Sequence, residues 1–100
     1  MTPVRLTPKA QSDLDGILAY TAKQWSLDQA EVYMRTLDAT FRLLAQHPGM
    51  GRGIDDIREG YFKFPAASHI LIFRVEKGQV EIVRILHKSS DVETQLRERN

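Results

Sequence analysis

The stretch SHILIFRVEKGQVEIVRILH, residues 68–87, decides the fold class. It contains two runs rich in β-branched and aromatic residues, SHILIFRVE and QVEIVRILH, which predict two strands. Lys77-Gly78 between them predicts a tight hairpin turn, because glycine can take the positive φ that such a turn needs. In residues 70–75 the apolar side chains fall on both parities, which predicts a central strand covered on both faces.

Two helices are predicted before this hairpin. Thr7 and Pro8 form a helix start, and an apolar stripe at helical spacing follows it, made of Ala10, Leu14, Ile17, Leu18 and Trp25. Ser26 and Gln29 fit a capping box for a second helix, whose apolar stripe is Ala30, Tyr33, Met34, Leu37, Phe41 and Leu44. This helix should end before HPGMGRG, where proline and glycines prevent its continuation. A short turn between two helices predicts an antiparallel helical hairpin.

Shorter elements complete the chain. Val4 and Leu6 alternate with a polar residue and suit an N-terminal strand, and GYFKF at 60–64 predicts another strand. In the tail, Ser90 and Glu93 at capping-box spacing predict a short C-terminal helix. The expected fold is α+β in the order β-α-α-β-β-β, with the antiparallel helical hairpin packed on a small antiparallel sheet and a short C-terminal helix.

The composition is that of an ordinary globular protein and excludes several functions. We expect residues 1–100 to form a single domain. The net charge of +1 excludes a surface that binds a phosphate backbone along its whole extent. The absence of cysteine excludes disulfides, zinc–thiolate sites and cysteine nucleophiles. The chain shows no signal peptide, membrane span, metal cluster or cofactor motif, so we expect a cytoplasmic protein without metal or cofactor.

One histidine and a set of basic residues are the candidates for chemistry. His87 could act as a general acid or base, or it could simply end its strand and bond to Asp91. The basic residues on or beside the strands are Lys63, Arg74, Arg84 and Lys88. Converging cations could stabilise the charge that develops during RNA cleavage. However, alternation along a regular strand directs Arg84 and His87 to opposite faces.

The order of these segments resembles the ParE branch of the ParE/RelE toxins of bacterial toxin–antitoxin pairs, over residues 4–91. The resemblance rests on LTPKAQSDLDGILAYTAKQW, QAEVYMRTL, LLAQHPGMGR and HILIFRVEKGQVEIVRILHKSSD, in this order and at these spacings. The ending RILHKSSD is similar to the ParE pattern R-x-L-H-x-x-x-D, matched here by Arg84, Leu86, His87 and Asp91. The resemblance implies a small α+β domain with a helical hairpin on an antiparallel sheet.

The resemblance also implies a function. A ParE toxin would bind DNA gyrase and block replication, and a ParD-like ribbon-helix-helix antitoxin would neutralise it. Such a toxin would not be an enzyme, would meet DNA only through its antitoxin and would need no membrane. One alternative is a ribosome-dependent messenger RNA endonuclease of the RelE branch, for which Lys63, Arg74, Arg84 and His87 lie in comparable regions, although no tyrosine follows His87. Another is a diverged, non-toxic member that only binds its antitoxin.

Two binding surfaces are expected. A small sheet that is apolar on both parities should leave one face open to an extended or helical antitoxin segment, with arginines at its rim. The open face would carry Leu71, Phe73, Val83 and Ile85, or else Ile70, Ile72, Ile82 and Leu86. The residues predicted to contact the antitoxin are Ile70, Leu71, Ile72, Phe73, Arg74, Ile82 and Arg84. The residues predicted to contact the target are Arg84, His87, Lys88, Asp91, Leu96 and Arg97.

Overall fold

The two strands predicted from residues 68–87 lie next to each other in a five-stranded sheet. The structure is a computed structural model that describes residues 4–97. Its elements are, in chain order, β1 (Arg5–Leu6), α1 (Pro8–Gln24), α2 (Leu27–Gln46), a 3₁₀ turn (Pro48–Met50), β2 (Arg52–Gly53), β3 (Phe62–Ala66), β4 (His69–Glu76), β5 (Gln79–His87) and α3 (Val92–Arg97). The predicted α+β fold, with its helical hairpin and short C-terminal helix, is confirmed.

The sheet order is β1-β5-β4-β3-β2, with β1 parallel to β5 and all other pairs antiparallel. Lys77 and Gly78 have φ values of 52° and 76°, as a two-residue hairpin turn of the primed type requires. Ile72 pairs with Arg84 whereas Phe73 pairs with Ile82, so β5 carries one extra residue at this point. This bulge changes which side chains of β5 share a face, and strict alternation along the strand does not predict it.

Local signals placed both helix starts correctly. The Thr7 hydroxyl accepts a hydrogen bond from the Ala10 amide at 3.1 Å, and the Ser26 hydroxyl accepts one from the Gln29 amide at 3.0 Å. Each cap satisfies a donor that has no partner within its helix. The place predicted for Trp25 in the apolar stripe is wrong: α1 ends one residue before it, and Trp25 is 74% exposed.

The main hydrophobic core lies between the helical hairpin and one face of the sheet. Its largest members are Leu14, Leu37, Phe41 and Leu44 from the helices and Leu71, Phe73, Ile82 and Ile85 from the strands. Phe73 stacks on Phe62 at 5.5 Å between ring centroids. A Cβ atom at Gly51 would lie 2.3 Å from Phe73, so only glycine allows the chain to pass over this ring.

The opposite face of the sheet carries a second, smaller core. Its buried members are Ile54, Ile72, Leu86 and Leu96, with Ile57, Tyr61, Ile70 and Val92 packed against them. The loop before β3 and helix α3 therefore cover this face, and Arg58 joins them by donating to the Leu96 carbonyl at 3.2 Å. The predicted open apolar groove on the sheet is wrong, because the chain's own side chains cover both faces.

The C-terminal helix begins one residue later than predicted. Asp91, and not Ser90, caps α3: the Thr94 amide donates to its carboxylate at 3.4 Å and the Thr94 hydroxyl donates to it at 2.9 Å. The hydroxyl bond, followed by the amide bond, lowers the pKa of Asp91. Across residues 4–97, no helix combines the length and the apolar character that a membrane crossing needs.

Candidate functional site

A cavity of about 700 Å³ opens between α1, α2 and the strand ends that carry His69 and His87. This volume lies within the range of known binding pockets. Tyr20, Trp25 and Val32 line it and are 64%, 74% and 48% exposed. A cluster of exposed large apolar side chains around a concave surface marks an interaction site. We call this surface the helical groove.

A chain of hydrogen bonds forms the floor of the helical groove. The Tyr33 hydroxyl accepts from the Ser68 amide at 3.0 Å and lies 2.6 Å from Nδ1 of His69. The ring of His69 meets that of His87 edge-on, with centroids 5.5 Å apart. Nδ1 of His87 accepts from the Ser89 amide at 3.1 Å and lies 2.7 Å from the Ser89 hydroxyl. The cluster thus joins α2 to the start of β4 and the end of β5.

Burial lowers the pKa of His69 below its usual value of 6.5. The neighbouring His87 lowers the pKa further, because two cationic rings would repel each other, while Asp13 acts in the opposite direction. His69 is therefore neutral at pH 7, and its Nδ1 can accept the Tyr33 proton. The bond that His87 was predicted to form with Asp91 is replaced by the contact with Ser89.

Arg84 is buried in an ion pair with helix α1. Its Nε and Nη2 donate to the Asp13 carboxylate at 2.8 and 3.2 Å, and the residue is only 7% exposed. The same carboxylate accepts from the Ile85 amide at 2.9 Å, and the Thr7 hydroxyl donates to the Val83 carbonyl at 3.0 Å. These bonds occupy backbone groups of β5 at Val83 and Ile85, past the point where the pairing with β1 ends. Arg84 is therefore a structural cation without access to a partner's surface.

Arg74 is held in a second ion pair, on the sheet face away from the helical hairpin. The buried Glu81 carboxylate accepts from Arg74 at 2.7 Å and from Arg5 at 2.8 Å. The bond from Arg74 is the largest cause that lowers the pKa of Glu81, and burial opposes it. Arg74 and Arg58 also lie over the ring of Tyr61, at 6.0 and 5.2 Å from its centroid.

The residues proposed for the nuclease alternative do not converge. Arg74 pairs with Glu81 near one end of the β4–β5 ladder, and His87 pairs with His69 at the other end. Five residue steps along β4 join His69 to Arg74, which at roughly 3.3 Å per step is about 16 Å. Lys63 lies on the neighbouring strand β3. Within residues 4–97 no group of three histidine, aspartate or glutamate side chains could hold a metal ion.

The two predicted binding sets are only partly accessible. Of the residues predicted for the antitoxin, the chain itself buries Leu71, Ile72, Phe73, Ile82 and Arg84, and leaves Ile70 and Arg74 half-buried. Of those predicted for the target, Arg84 and Leu96 are buried. The exposed members are His87, Lys88, Asp91 and Arg97, where Asp91 caps α3 and Arg97 pairs with Glu93. A direct contact of the buried members with a partner would need local opening of the fold.

Sequence reasoning missed the residues that build the helical groove. Tyr33 was assigned to the core stripe, and neither His69 nor Asp13 was among the candidates for chemistry. One signal was available: a hairpin that turns at Lys77-Gly78 brings the start of β4 near the end of β5, although the direct pairing of His69 with His87 also requires the bulge. The helical partners Tyr33 and Asp13 join this pair only through tertiary packing.

The fold is shared with a chain of a solved structure. The structure resembles a chain of the chromosomal ParDE toxin–antitoxin system from P. aeruginosa, with a TM-score of 0.73 and 22% identity over 87% of this chain and 96% of that one. This likeness shows that the two chains share the same small α+β fold.

Sequence comparison identifies the family. Residues 4–92 match the family described as "ParE toxin of type II toxin-antitoxin system, parDE". Toxin ParE1 of Caulobacter vibrioides is 41% identical over 96 residues, which cover 96% of this chain and 99% of the relative. Toxin ParE1 of Mycobacterium tuberculosis is 42% identical over 92 residues, which cover 91% and 94%. The chain belongs to the ParE toxins of type II toxin–antitoxin systems, as its sequence segments predicted.

Proposed function

We propose that this ParE toxin arrests growth by binding DNA gyrase and blocking replication, and that a ParD-like antitoxin of the ribbon-helix-helix class neutralises it. The observation that supports action by binding is the state of the basic residues. Arg84 and Arg74 are committed to carboxylates of the chain itself, and His87 lies at the far end of the ladder from Arg74. A phosphate would thus meet no converging set of cations at His87.

The helical groove is the proposed docking site of the antitoxin. A type II toxin has an antitoxin as its partner, and the groove presents the exposed apolar side chains Tyr20, Trp25 and Val32 at its rim. Strand addition is disfavoured because Thr7 and Asp13 already bond to the free edge of β5. An amphipathic helix that inserts apolar side chains between α1 and α2 fits these features.

The proposed gyrase-binding surface lies at the exit of β5. His87 and Lys88 are exposed there, and α3 follows with Arg97 exposed. Lys88 and Arg97 present positive charge beside the groove, and His87 lies at the boundary, because it also lines the groove. An antitoxin segment bound in the groove would contact His87, because His87 lines the groove. It would thereby also cover part of the proposed gyrase-binding surface at the exit of β5.

Purified protein tests both parts of the proposal. The toxin should inhibit supercoiling by gyrase, and the antitoxin encoded beside it should reverse the inhibition. Trp25→Ala should still inhibit gyrase but require at least tenfold more antitoxin for reversal, because it removes a large contact at the groove rim. Val75→Ala is the matched control, since Val75 is also exposed but lies at the turn end of β4. A toxin that leaves supercoiling untouched at every concentration contradicts the gyrase assignment.

Substitution of His87 distinguishes a toxin that acts by binding from one that acts by catalysis. If the toxin acts by binding, His87→Ala should leave growth inhibition largely intact, because it removes one exposed contact of the proposed gyrase-binding surface and leaves Lys88 and Arg97 in place. Removal of a general base from a nuclease should instead lower its rate on the order of a hundredfold or more. Toxicity, circular dichroism and cleavage of messenger RNA are measured together. A folded His87→Ala protein that has lost all toxicity supports the RelE-type endonuclease, and a wild-type chain without a growth phenotype supports the diverged, antitoxin-binding alternative.

A further inference from the structure

We propose that the histidine pair on the floor of the helical groove makes antitoxin binding sensitive to acid, so that the complex weakens as the solution is acidified. This regulation rests on the proposed docking of the antitoxin in the groove. The pair consists of His69 and His87, whose rings meet edge-on at 5.5 Å.

The hydrogen bonds of the pair fit two neutral imidazoles. The Tyr33 hydroxyl accepts from the Ser68 amide, and a neutral His69 whose Nδ1 carries no hydrogen can accept the hydroxyl proton over the 2.6 Å between the two atoms. Nδ1 of His87 accepts from the Ser89 amide. A cationic imidazole carries hydrogen on both ring nitrogens. Protonation therefore reverses the bond to Tyr33 on one ring and places two donors face to face at the Ser89 amide on the other.

The surroundings offer little compensation for positive charge. His69 faces Tyr33 from α2, His87 from β5 and Asp13 from α1. Asp13 is already neutralised, because both of its oxygens accept from Arg84. Among the described residues that line the groove, Asp13 is the sole carboxylate.

A bound antitoxin segment would make positive charge on the two histidines still less favourable. Burial already lowers the pKa of His69 in the free toxin. A segment laid over the groove removes more water from both rings, which disfavours their charged forms further. Binding at low pH must then release the protons that the free histidines carry. By linkage, the affinity falls by up to about tenfold per pH unit for each proton released, and it is independent of pH where both rings are neutral.

The test measures the dissociation constant of the toxin for the antitoxin encoded beside it, at constant ionic strength between pH 5.5 and 8. We expect a constant affinity at the upper end of this range and a loss towards its lower end, with a slope of up to about tenfold per pH unit for each proton released. The double variant His69→Gln, His87→Gln should bind with a much smaller pH slope, since glutamine can accept the Tyr33 proton and cannot titrate. His47→Gln, outside the groove, is the matched control and should keep the wild-type slope. Equal slopes for the wild type and the double variant overturn the proposal.

A second measurement uses the free toxin. Because the folded pKa of His69 is lowered, the stability due to its neutral form is complete above the unfolded value and is lost as the pH falls below it. The melting temperature should therefore fall between pH 7 and 5.5, and His69→Gln should reduce this fall. An unchanged fall in the variant counts against the inference. Absence of antitoxin binding at pH 8 would contradict the docking itself, whereas binding without a pH slope contradicts only the acid sensitivity.

Discussion

Two sets of ion pairs determine what the charged residues of this toxin can do. Arg84 and Asp13 are separated by 71 positions in the sequence, yet two hydrogen bonds join them. Buried Glu81 is shared between Arg74 and Arg5, whose own side chains stay partly exposed. Desolvation makes an unpaired buried charge costly, so buried Arg84 and Glu81 depend on their partners. Residues that suggested phosphate chemistry in the sequence thus have a structural role.

Asp13→Ala should destabilise the fold by about 3–5 kcal/mol, because it leaves the Arg84 guanidinium buried without a counter-charge and removes the acceptor of the Ile85 amide. The free energy of unfolding is measured by urea titration. Asp15→Ala is the control, since Asp15 lies on the exposed side of the same helix and should change stability by less than about 0.5 kcal/mol. Equal effects of the two substitutions would show that the buried pair contributes nothing specific.

Glu81 should give the fold a dependence on acid pH. Its bonds to Arg74 and Arg5 lower its folded pKa, so the stabilisation is present above the usual value of 4.5 and is lost as the pH falls through the folded pKa. The wild-type melting temperature should fall on acidification below pH 4.5, and Glu81→Gln should flatten this part of the curve. If Glu81→Gln keeps the full acid dependence of the melting temperature, other carboxylates are responsible for it.

The elements differ in how far the sequence predicts them. The hairpin strands and the caps at Thr7 and Ser26 were predictable, because alternation, turn residues and capping side chains act over a few residues. The bulge in β5 and the cover provided by the loop before β3 were not, since both depend on packing between distant segments. The hydrogen bonds on the groove floor were not predictable for the same reason, because Tyr33 and His69 are 36 positions apart. A pattern along one element cannot reveal a contact between two elements.

Substitutions in helix α3 test directly whether the second core contributes to stability. Leu96 is 4% exposed and packs with Ile54, Ile72 and Leu86. Leu96→Ala should therefore cost about 2–4 kcal/mol, through lost burial and the cavity it leaves. Arg97→Ala, at the exposed neighbouring position, should cost less than about 0.5 kcal/mol. Urea denaturation of both variants measures the difference, and a near-neutral Leu96→Ala would mean that α3 does not pack on the sheet.

Deletion of residues 92–100 should weaken toxicity more than it weakens antitoxin binding. The deletion removes Arg97, the exposed residue of α3 that was predicted to contact the target, whereas the helical groove is lined by α1, α2 and the strand ends. Growth inhibition, antitoxin affinity and melting temperature are compared between the truncated and full chains. A truncated chain that stays fully toxic, or one that unfolds and loses both activities together, contradicts this division of surfaces.

At the scale of the whole molecule, the fold separates a stable frame from two adjacent surfaces. The frame is the sheet, covered on one face by the helical hairpin and on the other by α3 and the loop before β3. The helical groove and the exit of β5 meet at His87, which belongs to both surfaces. An antitoxin docked in the groove, as proposed, would therefore cover residues next to the proposed gyrase-binding surface and could block it without any change in the fold.

The central claim, that the toxin acts by binding gyrase, is tested most directly by expressing the isolated chain in growing cells and labelling DNA synthesis and protein synthesis in parallel. We predict that incorporation into DNA stops first, with induction of the DNA-damage response, while protein synthesis continues at its initial rate over the same interval. An early stop of protein synthesis with cleaved messenger RNA and continuing replication would contradict the claim.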